Sequence, residues 1–104
     1  MVKDSFGREY SLEAMKLAVG PGWGKLIEEV YAILAAHDEA VVLQIKEKFG
    51  MLRVYTCNIP DDVETQLTAI ENKSAEVCDV CGEPGAVISR DGWYMARCSA
   101  CREK

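Results

Sequence analysis

The chain has 104 residues, enough for one compact domain with a modest core. With 49% hydrophobic residues, 28% charged residues and few prolines, it has the composition of a globular protein and not of a disordered one. The net charge of −5 sits in residues 1–77, which carry 13 acidic and 8 basic side chains, whereas residues 78–104 carry 4 of each. That balance disfavours nonspecific nucleic-acid binding, in which Lys and Arg must neutralise phosphates, although a local basic patch remains compatible with it.

In chain order, the opening MVKDSFGREYS is polar and lacks the apolar run of a secretory signal or membrane span, so a cytoplasmic protein without a membrane partner is expected. Ser11 is placed to cap a short helix with Leu12, Met15 and Val19 inward, which Gly20-Pro21-Gly22 ends. Trp23, Leu26, Ile27, Val30, Tyr31 and Leu34 then recur at helical spacing and predict a second helix with a buried apolar face. From Val41 the period changes to two. Val41, Leu43 and Ile45 are expected on one face, and together with MLRVYTC the run reads as a β-hairpin. Pro60-Asp61-Asp62 opens a third helix, its carboxylates suited to the positive end of the helix dipole, with Val63, Leu67, Ile70 and Val77 inward.

Cys78, Cys81, Cys98 and Cys101 form two Cys-x-x-Cys pairs separated by 16 residues. In a reducing compartment such thiols serve metal or redox chemistry, and this spacing lets four sulfurs converge on one tetrahedral zinc. The alternative of two redox pairs lacks its βαβ setting. Between the pairs, AVISR and WYMAR flank Asp91-Gly92, a favoured two-residue hairpin turn, so residues 78–104 read as a zinc ribbon. Four thiolates leave no position for an activated water, so a single structural Zn2+ is expected.

The expected fold is α+β: a small helical body with a central β-hairpin over residues 1–77, and a zinc ribbon packed on it without a linker. Two groups stand out as candidate binding residues. Lys46, Lys48 and Arg53 cluster at the hairpin tip around Phe49, where they either hold a phosphate or form a solvated edge that blocks strand pairing. On the ribbon, pairing across the turn puts Arg90 opposite Trp93 and Ala86 opposite Arg97, a face that is either a seam against the helices or a partner surface. The lone His37 has no carboxylate or nucleophile at a telling spacing. Cys57 reads as a small apolar residue or, less simply, a reactive thiol. No catalytic constellation emerges, and an enzyme is not expected.

The segments GPGWGKLIEEV, QIKEKFGMLRVY, AIENKSAEVC and CDVCGEPG…GWYMARCSAC resemble a group of small, largely uncharacterised proteins of bacteriophages and prophages, over residues 20–101. That group has KEKFG followed by a small residue and LR-x-Y, with a serine shortly before the first cysteine; here Met51 takes the small-residue position and Ser74 fits. The resemblance implies a phage-type accessory protein in the bacterial host cytoplasm but carries no activity. The favoured expectation is a non-enzymatic protein that binds a host or phage protein, as an inhibitor of a host system, with a nucleic-acid-binding zinc-ribbon module as the alternative.

Overall fold

A computed structural model describes residues 1–103 and has the α+β architecture. The Ser11 hydroxyl accepts the Ala14 N–H at 3.1 Å and so caps α1 (Leu12–Leu17), one of whose donors would otherwise lack a partner. Pro21 starts a single 3-10 turn, Pro21–Trp23, which runs into α2 (Gly24–Ala35). Its apolar stripe of Leu26, Ile27, Val30 and Leu34 is buried, as the periodicity requires, while Tyr31 is half-buried. Fully buried Trp23 anchors the N-terminal end of this helix, and its indole N–H donates to the Val77 carbonyl at 2.8 Å.

The sheet has three strands in the order β1-β2-β3. β2 (Val41–Lys48) and β3 (Met51–Cys57) form the expected hairpin, and β1 (Lys3–Asp4) adds to β2 in parallel. The polar opening of the chain carries no strand pattern; β1 is only two residues long and is held beside buried Val2. The expected alternation of Val41, Leu43 and Ile45 is corrected by a β-bulge between Val42 and Gln44. Leu43 is the extra residue. It is expelled to solvent at 52% exposure, and Val42 and Ile45 become the inward pair.

α3 (Asp61–Ser74) follows Pro60 and buries Val63, Leu67, Ile70 and Ser74; Val77 lies beyond the helix end and is half-buried. The helix also covers the open edge of β3. The Leu52 N–H donates to the Ser74 hydroxyl at 2.8 Å and the Val54 N–H to the Glu71 carboxylate at 2.7 Å, so two edge donors are satisfied by side chains one helical turn apart. The Ser74 hydroxyl in turn donates to the Glu71 backbone carbonyl. Ser74→Ala would leave the buried Leu52 N–H unpaired and is expected to cost about 1–3 kcal/mol in urea unfolding. Thr65→Ala, which removes only an exposed bond to Asp61, should stay within about 0.5 kcal/mol.

β4 (Ala86–Arg90) and β5 (Trp93–Arg97) form a separate antiparallel hairpin in which Arg90 faces Trp93 and Ala86 faces Arg97, as the sequence predicts, and Ile88 faces Met95. Asp91 and Gly92 have φ of 52° and 84°, as a type I′ turn demands. Among the described residues no helix is long and apolar enough to cross a membrane.

Candidate metal centre

The four cysteines of the two pairs converge. Their sulfurs all lie within 4.8 Å of one another, Cys81 and Cys98 at 3.5 Å. A zinc with sulfurs at ~2.3 Å sets tetrahedral edges of ~3.8 Å, a length bracketed by the 3.5 Å of the Cys81–Cys98 pair and the 4.8 Å within which all four sulfurs lie, so adjustments of up to about an ångström let the cluster hold one ion. Cys78, Cys98 and Cys101 are buried and Cys81 is exposed, which leaves the metal one side of entry. Cys57 lies apart in β3, beside Val41.

The backbone supplies the rest of the site. The Gly82 N–H closes the first turn on the Cys78 carbonyl at 3.0 Å, with Gly82 at a φ of 84° that a side chain would resist, and the Cys101 N–H closes the second turn on Cys98 at 3.2 Å. The two turns are tied together by the Asp79 N–H donating to the Ala96 carbonyl at 2.9 Å and by an Arg97–Asp79 ion pair at 2.7 Å with both side chains mostly buried. Arg97 also reaches the Cys101 carbonyl at 3.4 Å.

Electrostatics within the cluster favour the thiolate of Cys78 and resist those of Cys81 and Cys101. Burial opposes ionisation of Cys78, yet hydrogen bonds from the backbone of Cys81, Cys98 and Val80 outweigh it and bring the thiol down to about 6. Its hydrogen bond with Cys98, then burial and the other sulfurs, push Cys101 up to about 12. For Cys81 a backbone hydrogen bond from Glu83 favours the thiolate, but the Cys98 thiol, burial and Cys78 together raise it. Four sulfurs this close cannot all ionise alone; a divalent cation removes the conflict, and its binding releases protons.

The body grips this module through glycines that the sequence reading treated only as a helix breaker. The Gly22 N–H donates to the Asp79 carbonyl at 2.8 Å. A Cβ on Gly20 would lie 2.2 Å from the Asp79 oxygen, and one on Gly22 would lie 2.0 Å from the Cys78 oxygen and 2.6 Å from the Gly82 nitrogen. The Gly20–Gly22 backbone is thus seated directly on the first cysteine turn. Three glycines within five residues around a tryptophan were the available signal.

The remaining candidate residues divide in two. Arg97 is engaged inside the metal module, and Ala96, on the opposite face of the ribbon from Arg90 and Trp93, joins the main core. The seam with the body is therefore made by the other face of the ribbon. Trp93 is 74% exposed. The tip of the β2–β3 hairpin meets this second hairpin: Phe49 packs edge-to-face on Tyr94 at 6.0 Å, and a Cβ on buried Gly50 would lie 3.0 Å from Val87. Lys48 lies 5.6 Å above the Phe49 ring. Lys46 and Arg53 sit directly opposite each other across β2 and β3.

Comparison of the chain with protein-family models, curated proteins and solved structures yields no match, so residues and geometry carry the functional reading.

Proposed function

We propose that the protein is a zinc-binding, non-enzymatic accessory protein that acts by attaching to a partner, with the metal holding the ribbon in place beside the β2–β3 hairpin. Zinc is the ion favoured by four thiolates in a closed tetrahedral set, and a closed set supports a structural role and not Lewis-acid chemistry. In the phage setting implied by the resemblance, the partner is a host or phage component and its engagement inhibits a host system.

The observation that carries this reading is Phe49. It occupies the first position of a two-residue turn at a φ of 57°, a conformation that favours Gly, Asn or Asp and is costly for a bulky residue. The residue is nevertheless 61% exposed, so burial does not offset that cost. A strained, solvent-facing aromatic beside Tyr94 and close to the Trp93 end of the ribbon has the character of a binding anchor. Immobilised zinc-loaded protein, exposed to bacterial lysate with and without nuclease treatment, is expected to retain a specific partner that Trp93→Ala or Phe49→Asn releases. Retention of the same partner by both variants would contradict the reading.

A further inference from the structure

The outer face of the β2–β3 hairpin concentrates positive charge in an otherwise acidic protein. Its cross-strand pairs are Gln44 with Tyr55, Lys46 with Arg53 and Lys48 with Met51, while Ile45, Leu52 and Val54 point into the core. The face carries three cations and no carboxylate; Glu47 is paired with Leu52 and belongs to the other side. Lys46 and Arg53 are like charges placed directly opposite, an arrangement that destabilises a sheet unless an anion lies between them. Among the described residues neither has an acidic partner, and the Arg53 Nε is buried without a hydrogen-bond acceptor. An oxyanion drawn between Lys46 and Arg53 would relieve the repulsion of this like-charged pair.

Aromatic rings flank the cations. Tyr55, two residues along β3 from Arg53, is 42% exposed, and Phe49 at the tip continues to Tyr94 on the ribbon. Cations spaced along a strand to hold phosphates, with exposed rings on either side to stack bases, is the arrangement by which sheet surfaces hold unpaired nucleotides. A duplex hides its bases and would leave those rings unused. The net charge of −5 argues against a generic polyanion at long range, but within a Debye length of about 10 Å the local field of three uncompensated cations dominates.

We propose that this face binds single-stranded nucleic acid, with phosphates on Lys46, Lys48 and Arg53 and bases stacked on Tyr55, Phe49 and Tyr94. The proposal rests on the reading of the two-hairpin surface as the partner-binding surface and names the partner class.

The test is a polarisation titration of the zinc-loaded full chain with a labelled oligothymidylate of about 20 nucleotides, alongside a duplex of equal length. Single-strand binding is expected, with a log-log salt slope of about −2 for three phosphates contacted. The double substitution Lys46→Gln, Arg53→Gln should weaken it at least about tenfold and flatten the slope by about 1.4. Phe49→Asn suits the turn and keeps the fold while removing the ring; it should cost about tenfold. No binding at roughly 100 µM protein in about 0.05 M salt, equal binding of the duplex, or a salt slope unchanged in the double variant would each overturn the assignment. If the oligonucleotide stays unbound while a protein from nuclease-treated lysate is captured and released by Trp93→Ala, the surface reading stands and the single-strand assignment falls. If neither binds, both fall.

Discussion

Cys78→Ser and Cys101→Ser are each expected to abolish stoichiometric metal binding and to lower the melting temperature far more than Cys57→Ser does. The ribbon spans residues 78–101, too few to build a self-sufficient core, and its buried centre consists of Cys78, Cys98 and Cys101 with Val80 packed against them. Metal coordination therefore replaces hydrophobic burial there, with an apparent binding energy of roughly 10–16 kcal/mol in small zinc modules. Removing one sulfur opens the tetrahedron and leaves the other thiols crowded. The loss should spread beyond the ribbon, since the Asp79 carbonyl receives the Gly22 N–H and the Val77 carbonyl receives the Trp23 indole. Far-UV circular dichroism and thermal melts of the three variants measure the difference. Equal losses for Cys57→Ser and Cys78→Ser would assign Cys57 a role equal to that of a ligand, which its place in β3 does not support.

Gly22→Ala is the second substitution with a large expected effect. The added methyl would meet the Cys78 carbonyl and the Gly82 nitrogen, both backbone atoms that cannot swing aside, so the first cysteine turn must separate from the body. A cost of about 3 kcal/mol, the upper end for overpacking, is expected in chemical unfolding, together with weaker metal retention against a chelator. Gly24→Ala is the matched control. Gly24 begins α2 with nothing nearer to its Cβ position than the Lys16 Cε at 4.0 Å, so the change should be neutral or slightly stabilising. If Gly22→Ala melts with wild type and keeps its metal, the body and the metal module are not coupled through this contact.

The elements whose side chains follow a period were legible in the sequence. Leu26, Ile27, Val30 and Leu34 define α2, Val63, Leu67 and Ile70 define α3, and the Asp91-Gly92 dipeptide fixes the β4–β5 register. The cysteine spacing anticipated a cluster that folding brings within 4.8 Å. Features that depend on one residue meeting another far along the chain were not legible. β1 is too short to show a pattern, and the bulge that turns Leu43 outward breaks the alternation it was read from. Ser74 was noted only as part of a motif, yet its hydroxyl closes the edge of β3, 22 residues away. Arg97 was read on a face that is either a seam against the helices or a partner surface, because charge alone gives no partner; the turn around Cys78 supplies Asp79. Likewise, the two candidate groups at the hairpin tip and on the ribbon were read separately, and only the fold brings Phe49 against Tyr94.

The central claim is that one metal ion, held by Cys78, Cys81, Cys98 and Cys101, organises the ribbon and locks it to the Gly20–Gly22 segment of the body. The most direct measurement is metal analysis of the purified full chain by plasma mass spectrometry, with thiols counted in the same sample. About one zinc per chain is expected, lost on chelation or acidification as protons reclaim the thiolates. Less than about a tenth of an equivalent of any metal, in folded protein with all four thiols intact, would contradict it.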